Sequence, residues 1–161
     1  MSTLHGRGPL PEAEETMDAV EELQAIEEIK RLKARYCRLV DLNRRDDLRD
    51  LFTEDIVYEF QGWRKGRGAD SFAGSAEDFA DRRSFHRVSM PDIEVLSETT
   101  ASGVWAMVDI IEYPAATGKQ GSRGYGWYHE EYRKVDGGWK ISSLLLVRHR
   151  SEELGARNTQ G

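Results

Sequence analysis

Residues 25–55, AIEEIKRLKARYCRLVDLNRRDDLRDLFTED, contain the pattern from which the fold of this chain can be worked out. Apolar side chains recur mostly three or four residues apart, at Ile26, Ile29, Leu32, Tyr36 and Val40. This spacing predicts an amphipathic helix with one buried stripe. The helical pattern breaks near Asn43, restarts at Asp46 and leads into the strand-like segment IVYEF at 56–60. A long helix, a short helix and a strand are therefore expected in succession.

The first helix ends with an acidic residue. Asp41 lies about 60° around the helix from Ile26, at the margin of the apolar stripe and in the last turn. The helix dipole favours cations at a C-terminus, so a carboxylate is poorly placed there. Together with Tyr36 on the buried face, Asp41 indicates a pocket at this end of the helix.

Composition limits the class of protein. The 161 residues are 39% hydrophobic and fit one domain, with no apolar run near the roughly 20 residues that cross a bilayer. The net charge is −6 without a basic run, so we expect neither nucleic acid nor a membrane as a partner. The single cysteine, Cys37, excludes a disulfide framework and is expected to pack in the core. We expect a soluble, cytoplasmic protein.

Helices come early in the chain and strands late. A third helix is predicted at 69–83, a strand interrupted by Pro91 at 85–99, and three long strands at 103–113, 121–135 and 138–150. The DGG turn at 136–138 should close a hairpin between the last two. This order predicts an α+β domain at 21–150, with helices against one face of an antiparallel sheet and flexible tails at 1–20 and 151–161.

Asp109 lies in a strand that is apolar on both faces. Trp105 and Met107 share its face, and Val104, Ala106, Val108 and Ile110 form the other. Such a strand is covered on both sides. We expect helices to cover one side and a second copy of the chain, in a dimer or trimer, to cover the other. A buried carboxylate needs a partner. Asp109 is therefore either a structural residue held by an amide or Arg, or a residue that orients an imidazole.

Two other residue types complete a candidate polar cluster. His86, at the start of a strand, is the candidate imidazole. The alternative is His129, which lies on the same face of its strand as Trp127. Arg148 lies on an apolar face of the last strand, where a guanidinium needs a carboxylate such as Asp109 or Asp41, or a substrate anion. Alternatively, Arg148 is an edge residue that extends to solvent.

Several segments resemble a known superfamily. They are YCRLVD at 36–41, DDL at 46–48, LFTED at 51–55 and DGGWKI at 136–141, with His86 and Asp109 between them. Across residues 24–150 the chain is similar to the SnoaL-like group of the nuclear-transport-factor-2-like superfamily. The resemblance implies a cone-shaped, strongly curved antiparallel sheet wrapped over N-terminal helices around an internal apolar pocket, a cystatin-like α+β barrel.

Within this group the chain looks most like the bile-acid 7α-dehydratase branch, which is related to scytalone dehydratase. The branch has a Tyr and an Asp five residues apart on the first helix, then a His, a strand Asp and a late Arg. Five positions match in order: Tyr36, Asp41, His86, Asp109 and Arg148. The Asp-Arg-Asp pattern of limonene-epoxide hydrolase matches less well.

The resemblance implies a dehydratase that needs neither a metal nor an organic cofactor. Asp109 would bond His86, which would move the proton, while Tyr36 would donate to a substrate oxygen. Asp41 would assist hydroxyl departure or position Tyr36, and Arg148 would orient a carboxylate. The expected substrate is a hydroxy-ketone on an apolar polycyclic skeleton, such as a steroid or polyketide. The residues expected to line the substrate pocket are Phe60, Phe85, Trp105, Met107, His129 and Leu146.

Other functions remain open at this level. The same fold serves non-catalytic small-molecule binding and assembly scaffolds, in which the five polar residues would form a self-satisfied network. A ketosteroid-isomerase or polyketide-cyclase type enzyme uses similar acid and base groups. A partner subunit of a larger oxygenase is a further alternative. The glycine-rich segment 62–74 has no assignment.

Overall fold

A computed structural model describes residues 17–74 and 83–155. The helices and strands are α1 (Ala19–Asp41), α2 (Arg45–Arg49), β1 (Phe52–Phe60), β2 (Arg64–Arg67), α3 (Ala69–Ala73), β3 (Arg83–Val95), β4 (Thr100–Glu112), β5 (Gly121–Val135) and β6 (Gly138–Glu153), with a 3-10 turn at Ala115–Thr117. None of the described helices is both long enough and apolar enough to span a bilayer.

The strands form one six-stranded curved sheet in the order β2-β1-β6-β5-β4-β3. Four of its five pairings are antiparallel, and the pairing of β1 with β6 is parallel. The prediction of an α+β fold with a curved sheet is confirmed. The parallel pair was not predicted, because β1 and β6 are about 80 residues apart in the chain and local patterns carry no information on such pairing.

Helix α1 is specified by its capping residues and by its buried stripe. Asp18 and Glu21 form a capping box at its start. Ile29, Leu32 and Tyr36 are buried as the periodicity predicted, and the helix packs mainly across β3. The buried face of α1 and the inner face of the sheet therefore share one core.

The two predicted irregularities of the sheet are present. Residues 136 and 137 form a two-residue hairpin loop with φ of 51° at Asp136 and 80° at Gly137, values typical of a type I′ turn. In β3 the register shifts between Ser89 and Asp92, and Met90 has a φ of 49°. The β5–β6 pairing runs up to this hairpin loop, and the β3–β4 pairing continues on both sides of the register shift.

Several boundaries differ from the sequence-based expectation. Arg44 is the N-cap of α2 in place of Asp46, and its side chain makes no capping hydrogen bond. Strand β1 begins at Phe52 rather than at residue 56, because Phe52 pairs with Ile141 of β6. Helix α3 ends at Ala73; residues 75–82 of the predicted helix lie outside the described residues, and Arg83 already belongs to β3.

The described part of the domain extends slightly past the predicted bounds at both ends. Residues 1–16 and 156–161, which include most of the predicted tails, lie outside the described residues. Helix α1 begins at Ala19, two residues before the expected boundary. Strand β6 continues to Glu153, three residues past its expected end, and its last residues pair with the start of β5.

Candidate active site

A cavity that is open to solvent at one end lies between the C-terminal half of α1 and the inner face of the sheet. Its floor is buried and includes Tyr36, Asp109, Tyr128 and Leu146. Exposed residues such as Trp63, 53% exposed, mark its mouth. The floor thus combines apolar surface with two phenols and one carboxylate.

His86 is held by Asp41 at the end of α1. Its Nδ1 lies 2.6 Å from Oδ1 of Asp41, and its backbone N–H donates to Oδ2 at 2.9 Å. The Ser84 hydroxyl donates to the same carboxylate at 2.9 Å. These bonds compensate for the unfavourable position of a carboxylate at a helix C-terminus. They also favour the tautomer with the proton on Nδ1, which leaves Nε2 as the acceptor on the cavity side.

This geometry corrects the expected partner of the imidazole. His86 and Asp109 are directly opposite in the β3–β4 pairing, but Nε2 of His86 is 4.0 Å from Oδ2 of Asp109, beyond hydrogen-bond distance. Asp41 is the hydrogen-bonded carboxylate instead. It is also absent from the residues that line the cavity, so its expected contact with a leaving hydroxyl is replaced by its bond to His86.

Asp109 is paired with Arg148, one of the partners that the sequence allowed. Nη1 of Arg148 donates to Oδ1 of Asp109 at 2.9 Å, and Nη2 donates to Oδ2, so the pair is bidentate. This hydrogen bond raises the pKa of Arg148 above its ordinary value against the opposing effect of burial. The pair supplies a fixed polar edge beside Nε2 of His86.

Gly124 makes room for this ion pair. It is opposite Asp109 in the β4–β5 pairing, and a Cβ atom there would overlap Nη1 of Arg148 and crowd Oδ1 of Asp109. Because a side chain at 124 would occupy the position of the guanidinium, glycine is required for the bidentate geometry. No local sequence pattern indicates this role, because it depends on side chains from two neighbouring strands.

Two tyrosines supply the phenol groups of the cavity. Tyr36 of α1 and Tyr128 of β5 pack edge to face with ring centroids 6.0 Å apart. Burial, followed by smaller contributions from nearby acidic groups, raises the pKa of each phenol well above its ordinary value. Both phenols therefore stay protonated at neutral pH, where they can donate hydrogen bonds. Tyr36 was predicted as a site residue and Tyr128 was not.

A buried ionic network supports these phenols from behind. Lys33, 0% exposed, forms an ion pair with buried Glu130. Its Nζ is 3.5 Å from the ring centroid of Tyr128 and 4.3 Å from that of Tyr36. Tyr132 donates to the other oxygen of Glu130. The network was missed because Lys33 and Glu130 look like surface residues in a local pattern, although both fall on inward-facing positions of their elements.

The structure places the six expected lining residues in three different environments. Phe60 and Leu146 line the cavity. Trp105 and Met107 are buried in the core without reaching it, and Nε1 of Trp105 donates to the hydroxyl of Tyr132 at 2.8 Å. Phe85 and His129 are exposed.

Strand alternation explains the last two positions. Phe85 precedes the inward-facing His86, and His129 follows the inward-facing Tyr128, so both lie on the outer face of the sheet. The expectation that they line the pocket is therefore corrected. The same alternation would have identified Tyr128 if Trp127 and His129 had been assigned to the outer face.

Two further cavity residues, Arg45 and Arg64, were not anticipated. Arg64 belongs to the glycine-rich segment that the sequence left without an assignment. Within residues 17–74 and 83–155, no group of three or more His, Cys, Asp and Glu side chains is arranged to hold a metal ion.

An α+β fold in which a curved sheet encloses a cavity beside a long N-terminal helix defines the nuclear-transport-factor-2-like class of proteins. The chain belongs to the SnoaL-like domain family, whose pattern it matches over residues 21–144. This match covers most of the domain, including the segment between α1 and the first part of β6.

Solved structures share the fold of this chain. A putative scytalone dehydratase from Novosphingobium aromaticivorans has 25% sequence identity and a TM-score of 0.75, over 87% of this chain and 94% of that one. A type 2 hexachlorocyclohexane dehydrochlorinase has 18% identity and a TM-score of 0.79, over 89% and 98%. A nuclear-transport-factor-2-like protein with a cystatin-like fold, also from N. aromaticivorans, has 23% identity and a TM-score of 0.67, over 81% and 85%.

Proposed function

We propose that this protein is a cofactor-independent dehydratase that eliminates water from a hydroxy-ketone. One observation carries the proposal: His86 is fixed through Nδ1 by Asp41, and the ring lines a cavity whose floor holds protonated phenols. A base aligned beside hydrogen-bond donors is the arrangement that enolate-forming reactions require. Similarity to a putative scytalone dehydratase agrees with this reaction class.

In the proposed reaction His86 takes the carbon-bound proton next to the carbonyl through Nε2. The C–H electron pair moves towards the carbonyl, whose oxygen accepts hydrogen bonds from Tyr36 and Tyr128. The electrons then return to form the C=C bond as the C–O bond of the hydroxyl breaks. The imidazolium gives its proton to the departing hydroxyl, so one water leaves and His86 returns to its starting state.

Asp41 and the Asp109–Arg148 pair act by position and charge in this scheme. Asp41 holds the ring and stabilises the imidazolium that forms after proton transfer. Asp109 lies 4.0 Å from Nε2 and adds negative potential on the side where the proton arrives. Arg148 fixes the orientation of the Asp109 carboxylate through their bidentate pair.

The substrate skeleton is proposed to be apolar and polycyclic, such as a steroid or polyketide. Phe60, Phe72, Ile111 and Leu146 give the cavity a largely apolar wall. The rings of Phe60 and Phe72 have centroids 6.0 Å apart and present a broad aromatic surface. Flat ring systems bury well against such a surface.

The test is a panel of steroid and polyketide β-hydroxy ketones, followed by mass spectrometry for water loss and by NMR for exchange of the α-proton in D₂O. His86→Gln should lower turnover roughly 10²- to 10⁴-fold, the usual contribution of a general base. His129→Gln changes an exposed histidine on the outer face, outside both the cavity and the groove around Trp127, and is the matched control. Full activity in His86→Gln would overturn the proposed role of the ring.

The same panel separates the alternatives. Exchange of the α-proton with a shifted double bond and no loss of water would indicate an isomerase, and ring closure would indicate a cyclase. Binding without exchange or turnover, unaffected by His86→Gln, would support a non-catalytic binding or scaffold role.

We also propose a homo-oligomer, a dimer or trimer, formed through the outer face of the sheet. Phe85 and Trp127 are 50% and 42% exposed there and flank a groove that also includes Ala106 and Val108. A second copy of the chain packed on this face would cover these exposed aromatic side chains. Light scattering on purified protein should give a mass above one chain, and Trp127→Arg should reduce it. A monomeric parent protein would contradict this.

A further inference from the structure

Ser84 lies beside the His86–Asp41 pair and lines the cavity. It precedes His86 by two residues in β3, so strand alternation places both side chains on the inner face of the sheet. The Ser84 hydroxyl and Nδ1 of His86 bond to the same oxygen of Asp41, Oδ1, at 2.9 Å and 2.6 Å. The serine hydroxyl is therefore a close neighbour of the imidazole, and the proposed reaction gives it no role.

The hydroxyl proton of Ser84 is already used in its bond to Asp41. A carboxylate accepts hydrogen bonds and donates none, so the serine is the donor in this bond. A serine oxygen also has two lone pairs. Within residues 17–74 and 83–155, no group donates a hydrogen bond to the Ser84 hydroxyl oxygen. Towards a ligand in the cavity, Ser84 is therefore an acceptor and not a donor.

Two other acceptor groups lie near the imidazole, and both have another function. Each oxygen of Asp109 accepts a hydrogen bond from Arg148. Nε2 of His86 is the atom that takes the carbon-bound proton in the proposed reaction. A substrate hydroxyl that donated to Nε2 would block this base. Ser84 offers the hydroxyl a different acceptor close to the ring and leaves Nε2 free.

We propose that Ser84 binds the hydroxyl group that the substrate loses, by accepting a hydrogen bond from its O–H. The C–O bond then breaks beside His86, whose imidazolium delivers the second proton of the departing water, while the O–H bond directed at Ser84 stays intact. The substrate class is thereby narrowed to free alcohols, because an ether or ester at the same carbon has no proton to donate. The inference deepens the proposed function and rests on it for the reaction, but the acceptor role of Ser84 can be measured with unreactive ligands.

The test compares 2-indanol with 2-fluoroindane, whose substituents are similar in size although only the hydroxyl donates a hydrogen bond. Neither ligand has a carbonyl group, so neither undergoes the proposed elimination. Binding is measured by isothermal titration calorimetry and by quenching of tryptophan fluorescence, since Trp63 lines the cavity. The parent protein should bind 2-indanol roughly three- to tenfold more tightly than 2-fluoroindane, the effect expected of one neutral hydrogen bond.

Variants assign the preference for 2-indanol to the serine. Ser84→Ala should reduce this preference to less than about twofold, while the affinity for 2-fluoroindane changes by less than about twofold. Ser84→Thr keeps a hydroxyl that can donate to Asp41 and should retain the preference. Ser102→Ala changes a half-buried serine of β4 outside both the cavity and the groove around Trp127, and is the matched control. Imidazole ¹⁵N shifts should show the proton still on Nδ1 of His86 in Ser84→Ala, because the ring keeps its own bond to Asp41.

The outcomes separate this inference from the proposed function. Equal binding of the two ligands, no measurable binding of 2-indanol up to about 10 mM, or an unchanged preference in Ser84→Ala would overturn the role of Ser84. A lost preference accompanied by loss of the Nδ1 proton would attribute the effect to the imidazole and would also overturn it. A chain that dehydrates ketones but gives any of these results keeps the proposed function and loses the serine acceptor. A chain whose preference depends on Ser84 but that never exchanges or dehydrates any ketone keeps the acceptor and loses the dehydratase function.

Discussion

His86 lies between two carboxylates and hydrogen-bonds through its ring to only one of them. Nδ1 is 2.6 Å from Asp41, whereas Nε2 is 4.0 Å from Asp109. The difference arises because Arg148 occupies both oxygens of Asp109. Asp41 therefore determines the tautomer, and Asp109 contributes to the potential on the catalytic side of the ring.

Asp41→Asn is predicted to reduce turnover of the proposed reaction by roughly 10³- to 10⁴-fold, the size of effect seen when the orienting carboxylate of a histidine base is replaced. An Asn side chain can present its N–H₂ to Nδ1 and favour the wrong tautomer. Imidazole ¹⁵N chemical shifts should show the proton on Nδ1 in the parent protein and a loss of that state in the variant. The control is Asp92→Asn, which changes an exposed carboxylate on β3, the strand of His86.

An unchanged ¹⁵N pattern in Asp41→Asn would contradict the assigned tautomer, whatever the effect on turnover. A second variant, Asp109→Asn, should leave the Nδ1 proton in place, because Asp109 is not hydrogen-bonded to the ring. The two carboxylates are thereby distinguished by a measurement that needs no substrate.

Gly124→Ala is predicted to disrupt the Asp109–Arg148 pair without altering either residue. The added methyl group would occupy space that the guanidinium now fills, so Arg148 must move. Turnover should fall by roughly the same factor as in Asp109→Asn, and the double variant should show little further loss because both changes remove one interaction. Gly138→Ala is the matched control, since the nearest atom to its Cβ would be 3.8 Å away. Additive losses in the double variant would contradict a shared cause.

Much of the fold could be predicted from local sequence, for identifiable reasons. The spacing of Ile29, Leu32 and Tyr36 gave helix α1, because a single face of that helix is buried. The Asp136-Gly137 pair gave the β5–β6 hairpin, because positive φ values there favour these residue types. The parallel β1–β6 pairing and the early start of β1 depend on contacts between distant residues, and no local pattern carries them.

The sequence predicted which residues form the candidate site better than it predicted the hydrogen bonds between them. The sequence placed His86, Asp41, Asp109 and Arg148 together, but the choice of partner depends on side-chain rotamers and on how the end of α1 meets β3. Arg64 lay in a segment without periodicity, so its position at the cavity could not be inferred. Buried Lys33 was missed because charged residues are rarely buried unless they are paired.

Lys33→Met is predicted to lower the free energy of unfolding by about 3–5 kcal/mol, because it leaves the buried carboxylate of Glu130 without its cation. Lys33→Met combined with Glu130→Gln should recover part of this loss, since the uncompensated charge is removed. Urea unfolding followed by circular dichroism measures both. Lys30→Met, at a surface ion pair one turn earlier, should change stability by less than about 0.5 kcal/mol. Equal destabilisation at both positions would contradict the buried pairing.

The Cys37 thiol is predicted to react slowly with thiol reagents in the folded protein. Burial raises its pKa from the ordinary 9.0 to about 11, and below that pKa the thiol stays protonated. At mildly alkaline pH the reactive thiolate is therefore reduced roughly 100-fold by the shift alone, before the reduced access of a buried side chain is counted. Ser151→Cys adds an exposed thiol to the same chain, so its reaction with a disulfide reagent should show one fast and one slow equivalent. The slow phase should merge with the fast one in denaturant, and two fast equivalents in the native protein would show that Cys37 is not buried as described.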